Sequence, residues 1–234
     1  MSLYLLADVE TTGVGASDKV VEVAWMLVDD AFLVVDQDHS LINPERTIPA
    51  GASAVHGIVD SDVVGALTID EYFDRQLEGK LSNLDYTFVA HNSSFDYRFL
   101  APYLKPNTPQ ICTLRLVRKL YPDMDNHKLG TVVYSLGLKV DKERFHSADG
   151  DMAVLLALLG KIYEDHGLEL KDLRALSEAP IRNGVMSYGK KHRGKKLADV
   201  PTDYMEWMVR EASGVKEDLM AEVKEELALR KNSQ

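Results

Sequence analysis

A chain of 234 residues is long for one domain and short for two, taking roughly 150 residues per folded unit. Hydrophobic residues make up 45% of it and charged residues 27%, enough for an ordinary core without disulfides or a structural metal. One cysteine, Cys112, excludes an intramolecular disulfide and a cysteine-based zinc site. No run reaches the roughly 18 apolar residues of a membrane span, so no membrane partner is expected. The N-terminus lacks the basic segment and small-residue cleavage site of a signal peptide, and the expected location is cytoplasmic. The net charge of −10 weighs against tight non-specific duplex binding, which Lys and Arg supply. It leaves room for carboxylates gathered around cations, which make a site locally positive.

In chain order, Leu3 to Ala7 is a short apolar run ended by Asp8 and the turn signal Thr11-Thr12-Gly13, the pattern of a buried central strand. Val20 to Val28 and Phe32 to Val35 read as further strands, with Asp29-Asp30 between them as a hairpin. Residues 41–60 hold Pro44, Pro49, Gly51 and Gly57 and predict an ordered loop with one short helix. Thr68 to Leu84 is expected to be helical, with Ile69, Tyr72, Phe73 and Leu77 on one face. A strand over Thr87 to Ala90 leads to a helix capped by Ser93 or Ser94 and running to Leu104. Ile111 to Thr113 predicts a strand, followed by helices over Leu114 to Leu120 and Lys128 to Leu136. The clearest helix is Asp149 to Tyr163, with Met152, Leu155, Leu156 and Leu159 at core spacing. Strands followed by alternating strands and helices predict an α/β fold, a mixed sheet with helices on its faces. Pro180 and Gly184 mark a change of character, giving a main domain over 1–170, a linker over 171–186 and a small basic and helical module over 187–234.

Three motifs carry chemistry. Asp8-Val9-Glu10 places two carboxylates two residues apart, on one side of a strand. Without a cation between them, such a pair raises one pKa by repulsion, and oxygen ligands suit Mg²⁺ or Mn²⁺ better than zinc. Taken alone the motif equally describes a polar strand end entering a turn. Ala90-His91-Asn92-Ser93-Ser94-Phe95-Asp96 sets an acid early in a helix, where an isolated Asp would only complement the dipole. His146-Ser147-Ala148-Asp149-Gly150-Asp151 opens the long helix, with the imidazole in the approach and Asp151 in the first turn.

These three motifs, in this order, resemble the DEDD superfamily of 3′–5′ exonucleases, in its histidine branch. His146 stands five residues before Asp151 as in that branch, whereas the tyrosine branch would carry Tyr at the position of Ser147. Asn43-Pro44, Ile48-Pro49, Val55-His56-Gly57-Ile58, Lys128-Leu129 and Leu136-Gly137 extend the likeness over roughly residues 1 to 170. The resemblance implies a ribonuclease H-like fold and two divalent ions, Mg²⁺ or Mn²⁺, held by Asp8, Glu10, Asp96 and Asp151. It implies His146 as general base and a terminal-nucleotide pocket lined by Thr11, Thr12, His56, Asn92 and Phe95. Two such ions would sit about 3.5–4 Å apart and clamp the scissile phosphate, and an imidazole with a pKa of about 6.5 can take a proton near neutrality.

Further on, Tyr188-Gly189-Lys190-Lys191-His192-Arg193-Gly194-Lys195-Lys196, with Tyr204 and Trp207 after it, is similar to a small module that follows the nuclease domain in exodeoxyribonuclease X-like proteins. Lys190, Lys191, Arg193, Lys195 and Lys196 could contact nucleic acid by focusing positive field on phosphate; the same cluster could equally be a solvated turn. After Gly214, Val215, Leu219, Val223 and Leu227 recur every fourth residue, a stripe that could pack internally or pair with a second chain, with core packing favoured. The tail favours DNA over RNA as substrate, though the metal centre would cleave either. It does not resemble the polymerase-binding extension of the epsilon subunit, so association with a polymerase is not indicated. A fold retained without catalysis is disfavoured, because every carboxylate and the histidine are present.

Overall fold

The computed structural model describes residues 2–140, 148–181 and 184–232. The chain divides into two compact units, Met1–Glu178 and Ala179–Gln234. Among the described residues no helix is long and apolar enough to cross a membrane.

Unit one is built on a five-stranded sheet of order β3-β2-β1-β4-β5. The strands are β1 (Leu3–Thr11), β2 (Val20–Asp29), β3 (Val34–Leu41), β4 (Tyr86–Ala90) and β5 (Gln110–Cys112). The first three pair antiparallel, while β1–β4 and β4–β5 are parallel. This is the mixed sheet expected from the order of elements. β1 runs four residues beyond the apolar stretch that announces it, because its backbone pairs on through Asp8↔Ala24 and Glu10↔Glu22. Hairpin closure explains why β3 starts at Val34 and not at Phe32. Asp29 Oδ1 accepts the backbone N–H of Ala31 and of Leu33, and Phe32 takes a left-handed φ of 61° inside the turn.

Side-chain alternation sends each strand into two cores. Tyr4 and Leu6 of β1, Ala24, Met26 and Val28 of β2, Val89 and Ile111 face one side. There they meet α5 (Thr113–Leu120), α6 (Leu129–Leu136), α7 (Ala148–His166) and α8 (Leu170–Glu178), through Leu116, Val117, Val132, Leu155, Leu159, Ile162 and Leu173. Leu5, Ala7, Val9, Val23, Trp25, Leu27 and Phe88 face the other side. They pack on a helical run over 69–81 and on α4 (Ser93–Leu100). That run is α2 (Ile69–Tyr72), a π-helical turn (Phe73–Leu77) and α3 (Glu78–Leu81), and it buries Tyr72, Phe73 and Leu77 as their spacing predicts. Thr68 and Glu71 form a reciprocal capping box at its start. A short helix α1 (Ala50–His56) ends at Gly57, whose φ of 78° is open to glycine at little cost. It belongs to a smaller cluster of Val21, Ile48, Ile58 and Val63.

Two local expectations differ from the fold. The segment read as linker from 171 is helical as far as Glu178, because Leu170 and Leu173 reach the core of unit one while polar residues cover the outer face. At the start of α4 neither serine caps the helix. Asn92 takes the cap position with φ 78° and ψ 51° and makes no side-chain cap bond, and asparagine is among the few residues that tolerate that conformation. The helix also ends earlier than expected, at Leu100, passing into a 3₁₀ turn at Ala101–Tyr103.

Unit two has its own core. Met186, Leu197, Val200, Met205, Met208, Leu219, Val223 and Leu227 are buried together, drawn from α9 (Thr202–Glu211), α10 (Glu217–Asn232) and the segment before them. The four-residue stripe after Gly214 is therefore core, with Val215 packed at its margin.

Candidate metal centre and active site

Asp8 and Glu10 continue the same face of β1 as Tyr4 and Leu6, the face that packs on α7. Asp151 lies one turn into α7. One carboxylate oxygen from each of Asp8, Glu10 and Asp151 lies within 4.8 Å of the others, close enough for a single hard cation to bridge all three. The alternation that builds the core thus also aims the acids.

Asp96 reaches the same strand end from α4, on the opposite face of the sheet. It is almost fully buried at 2% exposure, and its Oδ1 accepts the Val9 N–H at 3.3 Å. That bond holds Asp96 against the residue between the two β1 acids. The carboxyl of Asp96 is part of the electrostatic group even though the tightest cluster is the other three. Burial pushes the Asp8 carboxyl well above the usual carboxylate range, and the charges of Asp96, Asp151, Glu10 and Glu22 push it further. Glu10 is pushed up to about 7 by burial and then by Asp151 and Glu22. Asp96 rises to about 8 through burial, against the lowering effect of the Val9 N–H. Protein groups alone therefore leave these acids under-neutralised. An all-oxygen donor set with this much mutual repulsion fits a divalent cation, which would supply the missing charge.

His146, the expected base, lies with residues 141–147 outside the described residues. The element it leads into is anchored. Ala148 donates its backbone N–H to Glu22 Oε2 at 3.0 Å, while Glu22 Oε1 lies 2.6 Å from His39 Nε2. Glu22 escaped sequence reasoning, although one signal was there. It is the lone charge in the apolar strand Val20-Val21-Glu22-Val23-Ala24-Trp25, and a buried charge needs partners.

The residues expected to line a nucleotide pocket fall into distinct situations. Thr11 and Thr12 are buried and their hydroxyls are engaged, Thr11 with the Gly13 carbonyl at 2.7 Å and Thr12 with Asp18 Oδ1 at 3.0 Å. They shape the turn after β1, where the Thr12 backbone N–H also donates to the Lys19 carbonyl at 2.8 Å. His56 is buried, its Nδ1 accepts the Ile58 N–H at 3.1 Å, and its ring also interacts with the Thr11 backbone. Since Nδ1 accepts, the neutral ring carries its proton on Nε2. Asn92 is exposed at the head of α4. Phe95 is half-buried, edge-on to Phe99 at 5.4 Å between ring centroids, with the Arg98 guanidinium 4.7 Å from its own centroid.

Arg98 and His91 were also not assigned from sequence. Arg98 donates to the Val14 carbonyl at 3.0 Å, tying α4 to the turn after β1. His91 links β4 to two later segments, with Nε2 2.8 Å from the His127 carbonyl and Nδ1 3.0 Å from Thr113 Oγ1. The carbonyl can only accept, so Nε2 donates and Nδ1 accepts the threonine hydroxyl. Burial holds this ring neutral, with its pKa down to about 4.

Comparison with known proteins agrees with this architecture. The sequence profile of the exonuclease family RNase_T matches residues 5–159. The DNA polymerase III PolC-type protein of Bacillus cereus is 36% identical over 169 residues, covering 69% of this chain and 11% of that protein. The chain thus spans about a tenth of that relative's length. Exodeoxyribonuclease 10 of Escherichia coli K12 is 26% identical over 228 residues, 94% of this chain and 97% of that one. Among solved structures, Exonuclease X in complex with 5′ overhanging duplex DNA superposes with a TM-score of 0.60 and 26% identity, over 74% of this chain and 99% of that chain.

Proposed function

We propose that this chain, which belongs to the exonuclease family, hydrolyses phosphodiester bonds of DNA from the 3′ end and releases 5′-mononucleotides. The observation that carries this reading is the convergence of Asp8, Glu10 and Asp151 within 4.8 Å at the end of the central strand. Likeness to exodeoxyribonuclease 10 over nearly the whole of both chains, and to a structure holding duplex DNA, supports DNA as the substrate and a free-standing nuclease.

In this reading two divalent ions, Mg²⁺ or Mn²⁺, occupy the carboxylate cluster, and when bound they supply charge for the phosphoryl transfer and help activate water. Asp8, Glu10 and Asp151 hold one face of that cluster. Asp96, fixed by the Val9 N–H, closes it from the α4 side. His146 takes the proton from the attacking water as the P–O3′ bond breaks. His56, set against the Thr11 backbone, lines the terminal-nucleotide pocket in this reading. Phe95, with Arg98 behind it, offers an aromatic face to the base or ribose.

The test is digestion of matched 5′-labelled DNA and RNA oligonucleotides with Mg²⁺ or Mn²⁺, with EDTA and Asp8→Ala as controls. A metal-dependent ladder shortening from the 3′ end of DNA is expected. Preferential loss of RNA would make the protein an exoribonuclease. Cleavage that persists in Asp8→Ala or in EDTA would sink the carboxylate assignment.

A second reading is favoured by the PolC-type relative, namely that the nuclease edits for a polymerase. Its mark would be preferential removal of a mismatched 3′ terminus, enhanced by the polymerase. Equal rates on matched and mismatched ends would set it aside.

A further inference from the structure

We propose that the loop over 186–196 in unit two is a second polynucleotide-binding surface, which grips the phosphate backbone without needing the carboxylate cluster. This deepens the reading of the chain as a DNA nuclease and rests on it for the identity of the polymer.

Charge is the first observation. Residues 179–234 carry eleven Lys and Arg against nine Asp and Glu, while residues 1–178 carry sixteen against twenty-eight. The acidity of the chain therefore belongs wholly to unit one. Five of the eleven cations, Lys190, Lys191, Arg193, Lys195 and Lys196, fall within seven residues, and all are exposed. Acidic side chains are close in sequence on α9, yet none of the five is ion-paired among the described residues.

Construction is the second. The loop springs from a stem in which Met186 donates to the Lys195 carbonyl and Gly194 to the Met186 carbonyl, each at 2.8 Å. Val185 bridges Lys196. Between Lys191 and Arg193, His192 turns inward. It is 6% exposed, packs edge-on to Tyr204 at 4.6 Å, and neither ring nitrogen has a partner. Gly189 has φ +66° and passes so close to Tyr204 that an added Cβ would meet its hydroxyl at 2.8 Å. A solvated basic turn has no reason to bury an unpartnered imidazole or to press glycine onto a tyrosine. Both fix the backbone, so the cations project from a rigid platform and bind with less loss of conformational freedom.

Shape is the third. The loop borders a cleft of about 680 Å³ whose wall includes Ser187, Tyr188, Gly189, Arg193 and Lys216, within the range of sites that take small groups. The aromatic contact continues from Tyr204 to Trp207 at 5.5 Å, and Trp207 is 36% exposed. Cations beside an exposed aromatic are the elements that hold single-stranded nucleic acid, charge on the backbone and a π-face for the base.

The test measures binding of fluorescein-labelled oligothymidylate to the full chain in EDTA, across a series of salt concentrations. The triple substitution Lys190→Gln, Lys191→Gln, Lys195→Gln should weaken binding about tenfold. It should also lower the slope of log K against log salt by about 2, at roughly 0.7 per phosphate contact on a single strand. Neutralising Lys105, Lys171 and Arg174 in unit one gives the same change in net charge and should not reproduce this loss. Gly189→Ala, which alters no charge, should weaken binding by displacing the platform from Tyr204. Unchanged affinity and slope in the triple variant would overturn the proposal. So would competition by inorganic phosphate as strong as by unlabelled oligonucleotide, or binding to phosphatidylserine vesicles in place of DNA. Mg²⁺-dependent cleavage by the same preparation is measured alongside. Cleavage with unaltered binding sinks the platform alone, and absent cleavage sinks the nuclease reading.

Discussion

Glu22 and Ala148 are 126 residues apart in sequence and joined by a 3.0 Å hydrogen bond, from the backbone N–H that begins α7 to a carboxylate oxygen on β2. Glu22 pairs directly with Glu10 across the β1–β2 ladder, so one buried side chain sits beside a proposed metal ligand and holds the helix that brings another, Asp151. Replacing it with alanine removes a charge-assisted bond to a helix N-terminus, worth roughly 1.5–3 kcal/mol, and the partner of His39. Glu22→Ala is expected to lower the thermal midpoint and to cut kcat at least tenfold, with Glu22→Gln intermediate. A variant with wild-type kcat would show that α7 keeps its place without this bond.

The acids of the proposed metal centre give a pH dependence with a definite sign. Asp8, Glu10 and Asp96 keep protons in the folded chain, Glu10 to about 7 and Asp96 to about 8, where the unfolded chain has released them above about pH 4. The unfolded state then binds fewer protons, so stability of the metal-free protein falls as pH rises from about 4 to about 8. Thermal melts in EDTA across that window should show a declining midpoint, and Mg²⁺ should restore it most at the alkaline end. Asp8→Asn should raise the metal-free midpoint at pH 8 while abolishing cleavage. A flat or rising midpoint in EDTA would contradict the clustered charge.

His91 works in the opposite direction. With its pKa held down to about 4, the folded chain refuses a proton that the unfolded chain accepts below about pH 6.5. Its contribution is present above pH 6.5 and lost as pH falls toward 4, on the order of 3 kcal/mol at about 1.4 kcal/mol per unit. His91→Leu should therefore be less stable than wild type at pH 7, with the gap narrowing on acidification. Denaturant titrations at pH 7 and pH 4.5 read it directly, and a gap independent of pH would remove His91 from the account.

On the far face of the sheet, Trp25 Nε1 donates to the Tyr72 hydroxyl at 2.8 Å, which donates in turn to Asp38 Oδ2 at 3.1 Å. Tyr72→Phe leaves the buried indole N–H without an acceptor. The expected cost is about 1–3 kcal/mol, with a shift in tryptophan emission and little effect on cleavage. Chemical denaturation followed by fluorescence checks both.

Much of this was legible in the sequence, and the reasons are specific. Asp8 and Glu10 could be placed because a strand has period two, and the stripe of Tyr4 and Leu6 fixes which way they point. The faces of α7 and α10 followed from the spacing of Leu155, Leu159, Leu219 and Val223. What could not be read depends on partners distant in the chain. The lone charge in residues 20–25 marks Glu22 as a buried acid, but which groups satisfy it is unreadable until Ala148 and His39 arrive. Phe32 looked like the start of a strand because apolarity alone does not reveal that Asp29 closes a turn around it. The segment after 170 looked like a linker because its core contacts, Leu170, Leu173 and Leu176, are spaced among charged residues and run straight into Pro180.

The carboxylates that meet at the end of β1 come from β1 itself, from α4 on one face of the sheet and from α7 on the other. No single fragment of the chain owns the site. A nascent or partly melted chain that has formed the sheet but not seated both layers would hold half the proposed set of ligands and is expected to be inert. Completion of the sandwich would thus act as the safety catch of the proposed metal centre, which only the finished fold can load.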